Sequence, residues 1–132
     1  MSDRPPAPSD SRWRLLRSFG YAFRGLGILI RTQANARIHA VATVFVIAAG
    51  FWFRISRSEW AEVTAAVGLV WTAEGLNTAI EAVVDLVSPD PHPLAGRAKD
   101  VAAGAVLCAA FAALVIGLLI FVPRVWALRA AE

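Results

Sequence analysis

The chain is poor in several chemistries that small proteins lean on. Its 132 residues hold one cysteine, Cys108. That excludes a disulfide framework and a cysteine-based zinc site, and nothing beside Cys108 marks it as a reactive thiol. No GxxxxGK[ST] segment occurs, so any nucleotide site is not a P-loop. A cleavable secretory signal is not expected. The first apolar stretch comes late, is broken by Arg24 and Arg31, and lacks a small-residue cleavage point. Charge is sparse, at 17% of residues.

Apolar side chains are abundant instead, at 58%, above the roughly 45–50% of a soluble domain. The net charge of +3 is carried unevenly. Seven arginines precede residue 38, which points to a membrane surface rather than nucleic acid. Residues 1–11, rich in Pro, Ser and Asp, read as a disordered tail. From residue 12, Leu15, Leu16, Phe19, Phe23, Leu26 and Leu29 recur at helical steps, while Arg17, Arg24 and Arg31 form a second stripe. This predicts an amphipathic interfacial helix over 12–36.

Three membrane-spanning helices are expected, over 38–54, 60–87 and 100–122, with a C-terminal tail over 125–132. Pro89, Pro91 and Pro93 stop the second, and 94–100 reads as a polar return. Pro123 and Arg124 are expected to end the third. Glu62 is expected to cap the start of the second. The architecture is thus an all-α integral membrane fold. Nine cations (the seven N-terminal arginines, Arg97 and Lys99) fall on one side and four (Arg54, Arg57, Arg124 and Arg129) on the other. The positive-inside rule then puts the N-terminus in the cytoplasm. Trp52, Trp60 and Trp126 share the outer interface.

The second span carries unusual polarity. At about 100° per residue, Glu74, Asn77, Glu81 and Asp85 share a stripe about 80° wide. Acids at membrane depth rarely face lipid. Such a stripe can be a solvated face, a set of interhelical hydrogen bonds, an ion path or a functional site. Three carboxylates on one helix repel, and a divalent cation relieves that; hard oxygen ligands suit Mg2+. Lys99 and Asp100 open the next helix on the same side. Arg14, Arg17 and Arg24 add cations there, which suits a polyphosphate. His39 reads as an interfacial hydrogen-bonding residue, and Trp71 as a packing residue.

The run Glu74-Gly-Leu-Asn77-Thr-Ala-Ile-Glu81-Ala-Val-Val-Asp85 resembles the signature of the prokaryotic diacylglycerol kinase and undecaprenol kinase family. Ala98-Lys99-Asp100-Val-Ala-Ala-Gly104 is similar to its second signature. Ser18 to Gly25 and Thr32 to His39 resemble the undecaprenol kinase branch more closely. The resemblance covers about residues 12–124. It implies an ATP- and Mg2+-dependent lipid kinase in the cytoplasmic membrane, acting on undecaprenol or diacylglycerol. It also implies a homotrimer with sites between subunits.

By that resemblance Glu74 is the general base and Glu81 a Mg2+ ligand. Asn77 and Asp85 shape the site. Lys99 and Asp100 contact nucleotide, Arg14 and Tyr21 lie near nucleotide and substrate, and Asp90 and His92 fall in a loop passing the nucleotide. Where the family usually carries a second metal-binding Glu, this chain has Gln33, which offers a neutral oxygen. That departure favours the other reading, a non-catalytic membrane protein of the same fold that binds lipid or a partner.

Overall fold

The structure, a computed structural model, describes residues 11–130. The expected tail over 1–11 falls almost wholly outside them. Among the described residues the regular elements are four α-helices: α1 (Ser11–Thr32), α2 (Ala34–Trp52), α3 (Arg57–Val87) and α4 (Pro93–Arg129). The most extensive packing joins α3 to α4; α2 lies against α3, and α1 against α2.

Gln33 alone separates α1 from α2. Its extended backbone, φ −102° and ψ 122°, interrupts one helix and starts the next. Residues 34–36 therefore belong to α2, not to the first helix. At the other end of α2 the chain reverses through a Schellman-type cap. Arg54 N–H bonds Phe51 O, Ile55 N–H bonds Gly50 O, and Arg54 takes the left-handed conformation at φ 48°.

Helix α3 starts three residues before the expected second span, and Glu59 rather than Glu62 caps it. Ser56 Oγ accepts from Glu59 N–H, and the Glu59 carboxylate accepts from Ser56 N–H at 2.8 Å. This is a capping box; Glu62 is exposed.

Two corrections concern α4. Residues 94–100 are helical, not a polar return. Pro93 occupies the first turn, where a missing N–H costs nothing, and His92 Nδ1 accepts from Leu94 N–H as the cap. Pro123 does not end the helix, which runs to Arg129. The Arg124 guanidinium bonds the Ile120 carbonyl and pairs with Glu59 at 2.8 Å. That tie holds the last turns of α4 to the first turn of α3 past the proline.

The buried stripe of α3 is Val63, Ala66, Val70, Glu74 and Asn77. It packs on α4, whose buried residues are Ala102, Val106, Ala109 and Ile120; the two alanines let the helices approach closely. Ile55, Val63 and Ile120 make a core cluster with Trp60, Phe53 and Phe121 packed on it. The outer surface is apolar, with Phe45, Phe111, Leu114 and Leu119 exposed. Such a surface needs an apolar medium or further subunits. By length and composition α2 and α4 each suffice to cross a membrane; the acids of α3 set it apart from them.

Gly50 lies against this cluster. A Cβ there would sit 2.7 Å from Trp60 Cη2 and 3.2 Å from Ile55 Cδ1. The Trp60 ring is also packed on Phe51, with centroids 5.0 Å apart. Gly50→Ala should therefore cost about 1–3 kcal/mol through overpacking, read as a lowered Tm in detergent. A second expectation concerns acid. Hydrogen bonds from the Ser56 backbone and side chain, with Arg124 adding to them, hold the Glu59 carboxyl below its ordinary range. A lowered pKa gives stability that is present above the ordinary carboxylate range and lost as pH falls through the lowered value. Glu59→Gln should remove that part of the acid-side loss in thermal unfolding series from neutral pH downward.

Candidate functional site

Three helices wall a cleft of 270 Å³. Asn35, Ile38 and His39 come from α2, Glu74, Asn77 and Glu81 from α3, and Ala103, Val106, Leu107 and Ala110 from α4. The polar stripe thus continues the packing stripe of α3. Its first half is apolar and fills the interface; its second half carries acid and amide groups into the same seam.

Glu74 is 1% exposed and Asn77 7%. Asn77 Nδ2 donates to Glu81 Oε1 at 3.2 Å. Glu74 Oε2, Asn77 Oδ1 and Thr78 Oγ1 are buried and make no hydrogen bond. A buried polar oxygen left unpaired costs about 1–3 kcal/mol, so the fold keeps these groups at a cost to its stability. They are free to engage a proton, a donor or a cation.

Asp85, one turn further, leaves the cleft. It is exposed and pairs with Lys99 of α4 at 2.5 Å. This pair lies where the C-terminus of α3 meets the first turns of α4. Asp100 is exposed beside it.

The remaining expected residues stand apart from the cleft wall. Gln33 is half-buried at the α1–α2 junction and makes no side-chain capping bond. It precedes by two residues Asn35, which lines the cleft. Arg14 and Tyr21 are exposed on α1, with the Arg24 guanidinium 5.9 Å from the Tyr21 ring centre. Asp90, in the α3–α4 connection, accepts from Ser88 Oγ through its carbonyl, and His92 caps α4.

Sequence reasoning did not place Asn35 and His39 in the site. Their four-residue spacing puts both on one face of α2, a signal that only becomes meaningful once α2 is known to pack on α3. Trp71 ties these helices together. Its indole N–H donates to Thr43 Oγ1 at 3.1 Å, and Thr43 donates to the His39 carbonyl at 2.7 Å.

Among the described residues no three His, Cys, Asp or Glu side chains converge to hold a metal ion unaided. The donor set still fits Mg2+. That ion commonly takes one or two carboxylates and completes its shell with water and substrate phosphates, and the cleft offers carboxylate oxygens of which Glu74 Oε2 is unpartnered.

Along most of its length the chain is similar to known proteins. The family model described as prokaryotic diacylglycerol kinase matches residues 20–121. The chain is 44% identical over 111 residues to undecaprenol kinase of Bacillus subtilis (strain 168), covering 84% of this chain and 90% of that one. It is also 44% identical to a diacylglycerol kinase of Synechocystis over 110 residues, 83% of this chain but 63% of that longer protein. Identity to the diacylglycerol kinase of Escherichia coli (strain K12) is 34% over 102 residues, 77% and 84% of the two chains. A match this long, running through all three helices that wall the cleft, shows that the chain belongs to the prokaryotic diacylglycerol kinase family.

Proposed function

We propose that the chain phosphorylates a membrane lipid alcohol, undecaprenol or diacylglycerol, by direct transfer of the γ-phosphoryl group of ATP. The observation that carries this reading is the Glu74 carboxylate. It is buried in a cleft, has an unpaired oxygen, and stands beside a second acid and an amide.

Glu74 Oε2 takes the hydroxyl proton. The alcohol oxygen forms its bond to the γ-phosphorus as the bond to the bridging oxygen breaks, leaving ADP and a lipid phosphate. Glu81, with the Gln33 amide oxygen at the neighbouring helix junction, is the pair we assign to Mg2+. Bound there, the ion supplies charge neutralisation at the phosphate oxygens. Asn77 orients Glu81 through the hydrogen bond between them. Lys99 exchanges Asp85 for phosphate, while Asp100, Arg14, Tyr21, Asp90 and His92 complete the nucleotide side. Catalysis is then mostly positioning and electrostatics, as in phosphoryl transfer generally.

In the same reading α2, α3 and α4 span the cytoplasmic membrane with the N-terminus inside, and α1 lies in the headgroup plane. The exposed apolar surface leaves faces for further subunits, and the family resemblance implies that they form a homotrimer with sites shared between subunits.

The deciding measurement is transfer of labelled phosphate from ATP to undecaprenol and to diacylglycerol by the purified protein. Failure with every lipid alcohol would leave the non-catalytic reading. Glu74→Gln should lower kcat at least about 10²-fold, the scale of a lost general base, with ATP binding retained in calorimetry. Equal turnover in that variant removes Glu74 from the base role. Gln33→Glu should raise Mg2+ affinity, read as a lower Mg2+ concentration at half-maximal rate; a higher one means that the ion uses other ligands.

A further inference from the structure

Within a helix, a threonine or serine hydroxyl can give its proton to the carbonyl four residues back. Ser18, Thr32, Thr43 and Thr64 all do so, at 2.7–2.9 Å from the carbonyls of Arg14, Ile28, His39 and Trp60. Thr78 does not. Its Oγ1 is buried and has no partner at all. Exposed Thr72, two turns earlier, can rely on water; Thr78 Oγ1 cannot.

Thr78 stands beside the acids. At about 100° per residue it lies about 40° to one side of Glu74, with Asn77 about 60° to the other. It follows Glu74 by four residues and precedes Glu81 by three, spacings that make side chains neighbours on one helix face. Asn77 already donates to Glu81, also four residues away, at 3.2 Å. Glu74 has no such donor, and its Oε2 is buried without a partner. Two oxygens one turn apart are thus both unpaired. One carries a proton to give; the other belongs to a group that accepts one. The third unpaired atom, Asn77 Oδ1, is itself an acceptor and cannot serve a carboxylate. Asn35 and His39 line the cleft from α2, but Asn35 is exposed and His39 half-buried. Of the donors not already engaged, the Thr78 hydroxyl is the enclosed one.

We propose that Thr78 is a positioning residue of the transfer step: its hydroxyl donates to the Glu74 carboxylate in the reacting complex and fixes the plane in which that carboxylate meets the lipid alcohol. This rests on the kinase reading of the cleft. A carboxylate that is to take a proton must first be an anion, and an anion enclosed between helices without a donor is disfavoured. Closing the pair needs only side-chain torsions, with α3 unchanged. A half-turn about the last bond of Glu74 exchanges its two oxygens, so one is held while the other is left for the alcohol. Thr78 keeps its proton and takes no part in the bond exchange at phosphorus. A hydroxyl tied to the carbonyl of residue 74, as the other four are tied to theirs, would be lost to this role.

The test uses the full chain in micelles with ATP and Mg2+, and with undecaprenol and dioleoylglycerol as separate acceptors. Thr78→Val keeps the branched shape and removes the hydroxyl. Thr78→Ala removes it without filling its space, and Thr78→Ser retains it. The first two should lower kcat at least about tenfold, on the scale of a misplaced reacting group. KM for ATP and the Mg2+ concentration at half-maximal rate should stay within about twofold, since binding shared by ground and transition states is untouched. Thr78→Ser should keep at least about half of the wild-type kcat, because the donor remains. The Tm of Thr78→Val should not fall, since the hydroxyl it removes bonds nothing in the structure. Unchanged kcat in Thr78→Val and Thr78→Ala overturns the inference and leaves the kinase reading intact. So does an equal loss in Thr78→Ser, which makes the position one of packing. A raised KM for ATP or a raised Mg2+ requirement also overturns it, since Thr78 would then be a ligand of those groups. A lowered Tm alongside the lowered kcat marks a structural hydroxyl and overturns it too. Transfer to neither alcohol by the wild type overturns the kinase reading, and this inference with it.

Discussion

One constraint organises the molecule: a carboxylate held in the seam between two long helices whose surroundings are almost entirely apolar. Glu74 occupies a position that Val63, Ala66 and Val70 lead up to, one that packing alone would give to an aliphatic residue. Exposing it would need α3 and α4 to separate; burying it leaves an oxygen unpaired. The small residues of α4 resolve part of the conflict, because Ala102 and Ala109 let the helices close tightly around the site. Asn77 and Glu81 then share a hydrogen bond at the next turn. The shape of the cleft follows from these choices rather than from any loop.

Because the site is built on helices, its parts are fixed by the same contacts that hold the fold. Trp71 shows this. Its N–H joins α3 to α2 through Thr43 and the His39 carbonyl, so the ring that braces two helices also sets where α2 presents its cleft-facing side. The charged groups at the rim obey a different rule. Lys99 and Asp85 are solvent-accessible, with 37% and 66% of their side chains exposed, and exposed pairs contribute little to stability. Their contact can be traded for another anion at small cost.

Much of this was legible in the residues themselves. The helical count and the acid stripe follow from spacing near 100° per residue; Glu74 and Asn77 of that stripe turn into the interior, Glu81 is half-buried and Asp85 is exposed. The limits of the helices were harder to read. Pro93 and Pro123 look alike as breakers, yet one opens α4 and the other lies within it, because the Arg124 ties to Ile120 and Glu59 are tertiary. Ser56 and Glu59 did carry a local capping signature that polarity alone obscures. Asn35 and His39 could not be assigned from α2 by itself, since nothing local says which face meets α3. Gln33, flagged as a departure from its family, sits at the joint between helices rather than in the cleft wall, a location set by backbone conformation.

The two ends of the bundle are fastened differently. At one, the Schellman-type cap, the capping box, the Glu59–Arg124 pair and the Trp60 cluster interlock. At the other, α3 and α4 are clasped by a solvent-accessible ion pair. Helices fixed at one tip and lightly held at the other behave as forceps. Low-energy bending concentrates where the grip is weak, so the jaws of the molecule are the end that carries the Asp85–Lys99 pair, and its hinge is the aromatic end.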